Sequence, residues 1–383
     1  MDFQLSEEQA LLCESARRYV VQTYGYEARC KAVASGEAFA AARWSQMTEL
    51  GWLALAVPEA HGGLGGSAVD FALLVEQLGA GLPLEPLVPV IAATRLLVAA
   101  GTNPELVGDV MAGSARPVIA HGEAHVAATA ERSGAGWLLS GAMPLVLGGA
   151  AATHYVIAAS CPAAAEGAQA VSLFLVAADH PGLGRKDLRL TDDSLASVLD
   201  FTGLELPADA LIGADGGGLA AWREGLAWQQ LGLHAEALGA MDKALWTTRD
   251  YVRTRRQFGT ELATFQAVQH RLADMVMEVE LARSILLRLL SVFDEAGAER
   301  DRILAAAKVQ FGKAGFFVGA QAVQLHGGMG MTDEYLIGMV FKRLVLLRNL
   351  HGGPGAALER LALDQRALER LARDQRQLVK EGL

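Results

Sequence analysis

Apolar positions recur at helical spacing through the second half of the chain. Segments 226–252 (LAWQQLGLHAEALGAMDKALWTTRDYV), 265–293 and 303–325 carry them every three or four residues, which predicts three long helices, with a fourth after Asp333. Ten of the eleven prolines lie between Pro58 and Pro207 and the other is Pro354, so nothing from 208 to 353 breaks those helices. Long helices with short connections predict an antiparallel bundle. The first part is helical but more interrupted. Leu5 to Gln22 opens it, with Ser6 as N-cap and Glu8 and Gln9 in the first turn, and 68–80 gives another helix.

Between these parts the period changes. Segments 136–148 (GWLLSGAMPLVLG), 153–160, 170–178 and 197–206 are short, rich in strand formers and separated by Gly, Pro, Asp and Ser, as in small sheets. The fold class is therefore α+β: an all-α domain over 1–115, a β domain over 116–215 and a helical bundle over 216–383. LERLA at 358–362 recurs at 368–372, but ten residues do not return to the same helix face, so it reads as a charged, solvated terminal helix.

Composition narrows the function classes. At 52% hydrophobic and 20% charged, the 383-residue chain is globular and long enough for two or three units. A net charge of −10 without a long Lys/Arg run argues against nucleic acid and anionic membrane as partners. Cys13, Cys30 and Cys161 have no CxxC spacing, and the N-terminus carries no signal-peptide pattern, so a reducing cytoplasm is expected. Apolar runs fall short of the ~18 residues of a spanning helix, so no membrane insertion is expected. His121 and His125, four apart in a strand-like context, are not read as metal ligands, and no metal is expected. Neither the 62–66 nor the 327–330 glycine cluster forms a dinucleotide-binding fingerprint, and there is no nucleophile elbow.

Two segments carry chemistry. One is Tyr251-Val-Arg-Thr-Arg-Arg-Gln-Phe-Gly259 followed by Phe265-Gln-Ala-Val-Gln-His-Arg-Leu-Ala-Asp-Met275. The other is Gln324-Leu-His-Gly-Gly-Met-Gly330 followed by Thr332-Asp-Glu-Tyr335. Arg255, at a helix end, offers a guanidinium suited to a phosphate, and Phe258 offers a ring face. Gly327 and Gly328 let a ligand reach the backbone, although a helix C-cap would account for them as well. Both segments resemble the C-terminal signatures of acyl-CoA dehydrogenases. ELGWLALAVPEAHGGLGG (49–66) and Leu206-Pro-Ala-Asp-Ala-Leu-Ile-Gly213 extend the resemblance over nearly the whole chain.

The resemblance implies a helical domain, a middle β-barrel or sandwich and a C-terminal four-helix bundle that binds FAD and assembles tetramers. It implies that an acyl-CoA is oxidised to the 2-enoyl-CoA, with electrons passing to an electron-transfer flavoprotein. Arg255, Gln257, Phe258, Gln324, Gly327 and Gly328 match the positions that clamp the FAD diphosphate across a subunit interface.

The same resemblance exposes departures. The family's catalytic Glu usually stands where this chain has Arg348-Asn-Leu-His-Gly-Gly-Pro354, which puts His351 at that position. The family's alternative position falls near Gln229, with Glu224 and Glu236 as neighbours out of register. A glutamine cannot act as a base, whereas a histidine can. The family's flavin- and substrate-holding segment corresponds to Ala120-His-Gly-Glu123, and its ring-contacting stretch to Pro144-Leu-Val-Leu-Gly148. The chain thus keeps what reaches a neighbour's FAD and has lost what surrounds its own ring. A heteromer is expected, in which a second acyl-CoA dehydrogenase subunit supplies ring site and base. HGGMGMTDEYLIGMVFKRL (326–344) is similar to the base-deficient small subunits of pimeloyl-CoA and steroid-degrading acyl-CoA dehydrogenases, which implies an α2β2 assembly. The alternatives are a related flavoprotein with desulfinase or monooxygenase chemistry, and a non-enzymatic structural or regulatory subunit.

Overall fold

The computed structural model describes residues 4–36, 39–121, 128–161, 170–332 and 335–380, with side chains of the last helix described to residue 366. Seven helices come first: α1 (Glu7–Thr23), α2 (Tyr26–Ser35), α3 (Ala41–Glu49), α4 (Trp52–Leu55), α5 (Ala68–Gly79), α6 (Leu87–Ala100) and α7 (Pro104–Met111). Ser6 caps α1 as the sequence predicts. Its hydroxyl accepts from the Gln9 N–H at 3.1 Å while the Gln9 side chain accepts from the Ser6 N–H at 3.1 Å. Ser67 and Asp70 close the same reciprocal cap on α5.

Eight strands follow: β1 (Pro117–Ala120), β2 (Ala128–Ser133), β3 (Gly136–Leu147), β4 (His154–Ser160), β5 (Val171–Ala177), β6 (Gly184–Arg189), β7 (Leu195–Leu206) and β8 (Leu211–Ile212). They form one mixed sheet in the order β6-β7-β3-β2-β4-β5-β8, with β1 parallel to β4. The β3–β7 ladder carries irregularities between Leu139 and Gly141 and between Met143 and Val146, where the sheet can bend.

The C-terminal part begins with α8 (Leu219–Thr254), then a hairpin of β9 (Arg256–Gln257) and β10 (Thr260–Glu261), then α9 (Gln266–Leu290), α10 (Ala298–His326), α11 (Leu336–Asn349) and α12 (Gly353–Lys380). Helix α8 is 36 residues long and runs through the centre of the molecule, packing against α5 and α6 on one side and α10 and α11 on the other. Glycine makes that closeness possible: a Cβ on Gly239 would lie 1.8 Å from the Glu76 carbonyl oxygen. One helical stretch, Ala298–Met331, is long and apolar enough to cross a bilayer by length and composition. In this fold it is a bundle helix, with 61% of that window buried.

Two largely buried arginines tie the three parts together. Arg343 of α11 donates to both carboxylate oxygens of Glu236 (2.7 and 2.8 Å) and to Asp192 Oδ2 (2.9 Å). Arg29 of α2 donates to the carbonyls of Leu82 (3.0 Å) and Asp192 (2.7 Å). Helix α12 exposes Leu358 and Leu363, in keeping with a solvated terminal helix over its described side chains.

Candidate functional site

At one end of the bundle α8 stops at Arg255, whose backbone turns extended while its N–H donates to the Tyr251 carbonyl at 2.8 Å. The chain then reverses through β9 and β10, with Phe258 (φ 55) and Gly259 (φ 82) as the two turn residues. Two consecutive positive φ values match the twist of a tight hairpin, and an aromatic residue rarely adopts one. The hairpin pushes the Phe258 ring out, 91% exposed, touching only Phe265 edge-on at 6.1 Å among the aromatic rings.

Helix α10 ends beside it. Gly327 has φ 61 and ψ −138, a conformation left to glycine, and its N–H donates to the Gln324 carbonyl. A Cβ on Gly327 or Gly328 would meet nothing within 4 Å, so the backbone there is open to a ligand. The two helix ends are joined by Tyr251, stacked on His326 at 4.3 Å, with Tyr335 at 5.1 Å on the same imidazole. His326 Nδ1 lies 2.8 Å from the Ala322 carbonyl, so that nitrogen carries the proton. Arg255, Gln257, Phe258, Gln324, Gly327 and Gly328 are thereby gathered at one exposed end. Among the described residues the side chains of Arg255 and Gln324 have no hydrogen-bond partner, and the Gln257 amide donates to the Arg256 carbonyl. A free guanidinium, bare backbone and a projecting ring suit a diphosphate joined to an aromatic base. The Tyr251–His326 stack was missed in the sequence although both residues stand inside the quoted segments.

His351 stands at the far end of α11, whose 14 residues span about 21 Å. It sits in a short turn with φ 54 and ψ 41. Its ring is stacked on His121 at 5.1 Å, and His121 meets Trp222 edge-on at 5.9 Å. His351 Nε2 is buried without a partner among the described residues. Burial pushes His351 well below the ordinary histidine range, helped by the nearby His121, Lys308 and His234, and burial pushes His121 down to about 4.

Helix α8 faces His351 with Gln230, Leu233, His234 and Ala237. Gln229 is buried outside that lining, its Oε1 unpartnered. Glu224 accepts from Arg300 (2.7 Å) and Trp228 Nε1 (2.8 Å), and Glu236 is held by Arg343, so both carboxylates are already engaged. At Gly148 a Cβ would fall 2.6 Å from Pro86 Cβ, so no side chain can stand there. Glu123 and His125 lie outside the described residues. No group of three His, Cys, Asp or Glu among the described residues is placed to hold a metal ion.

The comparisons with known proteins agree with the fold. The family models "Acyl-CoA dehydrogenase, N-terminal domain" and "Acyl-CoA dehydrogenase, C-terminal domain" match residues 6–104 and 216–368. A Mycobacterium tuberculosis protein named as a probable acyl-CoA dehydrogenase, FadE25, is 30% identical over 301 residues, covering 74% of this chain and 77% of that one. The chain belongs to the acyl-CoA dehydrogenase family. Solved structures of the family superpose over nearly its full length. The Tcur3481-Tcur3483 steroid acyl-CoA dehydrogenase is 29% identical with a TM-score of 0.85, covering 94% of this chain and 99% of that one. The ChsE4-ChsE5 complex of Mycobacterium tuberculosis is 25% identical with a TM-score of 0.87, covering 96% and 99%. PigA solved with FAD and proline is 25% identical with a TM-score of 0.85, covering 95% and 99%.

FAD is the cofactor of this family. The described residues fit its diphosphate half, through the unpaired Arg255 and the open Gly327-Gly328 backbone. At Gly148 a side chain would meet Pro86, and beyond β1 and α11 the His121 and His351 rings stack on each other.

Proposed function

We propose that this chain is the base-deficient subunit of a heteromeric α2β2 acyl-CoA dehydrogenase, acting in the cytoplasm on a CoA thioester. Arg255, Gln257, Phe258, Gln324, Gly327 and Gly328 reach across the interface to hold the diphosphate and adenine of FAD, while the partner subunit provides ring site and carboxylate. The partner's carboxylate takes the α-proton of the acyl group. Bound there, FAD would supply the acceptor for the β-hydride in forming the 2-enoyl-CoA, and an electron-transfer flavoprotein would take up the electrons. On this reading residues 1–115 and 116–215 frame the substrate side and 216–383 carry cofactor contact and assembly.

The observation that carries the reading is the separation of the two ends of α11. The clamp is exposed at one end of the bundle, while the matching base position lies beyond the other end of α11, a helix about 21 Å long, with its imidazole stacked on His121. Exposed Trp246, Met277, Leu281 and Phe316 on the bundle offer apolar surface for a partner. The two structures of similar chains that are named as two-component assemblies support the same arrangement.

The test is the FAD-to-protomer ratio, from flavin absorbance, of the chain alone and co-purified with the product of a neighbouring gene. We expect no flavin alone and one per pair together. An active homotetramer with one FAD per chain would overturn the reading. A full flavin complement without dehydrogenase activity would instead favour a flavoprotein of other chemistry, of the desulfinase or monooxygenase kind.

A further inference from the structure

A small cavity lies between α8, α10, α11 and the turn at His351, and every ionisable group lining it is basic: His234, Lys308, Arg348 and His351. No Asp or Glu among the described residues lines it. Lys308 is 7% exposed, and its ammonium donates to the Leu347 carbonyl at 2.8 Å. An ammonium has three donors, so two remain without a described partner. His234 is 4% exposed, lies flat on Phe311 at 4.8 Å and leaves Nδ1 without a partner, as His351 leaves Nε2. Arg348 holds its guanidinium over the Phe316 ring at 4.7 Å.

A buried ammonium without a counter-charge must either shed its proton or acquire an anion. Burial does lower Lys308, to about 8, which leaves it mostly charged at neutral pH. Two unpartnered imidazole nitrogens beside it are surplus for a residue that merely loses its proton. The room left is about that of one water-sized group. We propose that this cavity binds a single-atom monovalent anion such as chloride, held by the Lys308 ammonium and N–H groups of His234 and His351. A carboxylate at position 351 would have filled the same place from within the chain. The histidine there leaves the charge to be met by a dissolved ion. The site does not depend on the subunit reading above, and its test reads neither flavin nor turnover.

The experiment is thermal unfolding of the full chain in sodium chloride, sodium formate and sodium gluconate at constant ionic strength. Chloride should raise Tm saturably, by about 3 °C over a hundredfold range, and gluconate should not. Formate, with three heavy atoms, should be excluded and leave Tm as in gluconate; an effect equal to that of chloride would overturn the proposal. K308M should abolish the dependence. H351E should abolish it too, with a Tm in gluconate close to that of the unmodified chain in chloride. Should K308M not fold, chloride-35 NMR on the unmodified chain decides, with broadening expected that H351E removes. Equal Tm in chloride and gluconate, a dependence that persists in K308M, or broadening unchanged in H351E would each overturn the proposal.

Discussion

The two ends of α11 are built on opposite principles. At the end near Gly327 the polar groups are exposed, Arg255 and Gln324 have no described side-chain partner, and a large aromatic ring stands in solvent. Near His351 two half-buried imidazoles stack on one another, and Lys308 and His234 are buried in a cavity whose ionisable groups are all basic. An exposed, unsatisfied constellation costs the isolated chain little, because water serves each group until a ligand or partner arrives. A buried one must be satisfied within the fold or by something captured there. The difference separates what the chain offers to others from what it keeps closed.

That contrast can be broken most forcefully on the closed side. Arg343 pairs with Glu236 and Asp192, whose side chains are 4% and 1% exposed. Arg343→Ala leaves two buried carboxylates without a cation, and should cost about 3–5 kcal/mol, read as a large fall in the denaturation midpoint. A loss below about 1 kcal/mol would mean that water reaches the network and that this side is not closed.

A smaller effect comes from acid. His121 and His234 are held neutral by burial, down to about 4 and about 3, while the unfolded chain protonates them near 6.5. Below pH 6.5 the unfolded state therefore binds more protons. Stability is fully present above that value and falls by about 1.4 kcal/mol per pH unit for each histidine, until the folded pKa is passed. His121→Gln should flatten the dependence between pH 6.5 and 5 by one histidine's share, in midpoints measured across that range. An unchanged slope would place His121 in contact with solvent.

How much of this could be read from the sequence depends on the element. Helices α8 to α11 show there because no proline interrupts that half and apolar positions recur there at helical spacing over long stretches. Helix α6 does not, since it is buried nearly all round and begins at Pro86 with Pro89 in its first turn, which removes both the period and the usual start signal. Strand β6, GRKDLR, is almost wholly exposed and reads as a loop, because as an edge strand it needs no apolar face. The six residues proposed to hold the cofactor could be singled out because they are local to two short segments. The basic cavity was not, since His234, Lys308 and His351 lie scattered over more than a hundred positions and only the packing of three helices brings them together.

The smallest effect is expected at the open end, and its smallness is the informative part. Phe258 is 91% exposed at the tip of the hairpin, and Arg255 has no described side-chain partner. Phe258→Ser and Arg255→Gln should each change the stability of the isolated chain by less than about 0.5 kcal/mol, measured by chemical denaturation. The serine also accepts the positive φ of 55 no worse than the aromatic ring does, so no backbone term should mask the result. Such neutrality would mean that neither side chain serves the chain's own fold. A loss of 1–2 kcal/mol at either position would show the ring or the guanidinium packing on its own subunit. The open end would then be only a second closed one, and the clamp would have nothing left to reach across with.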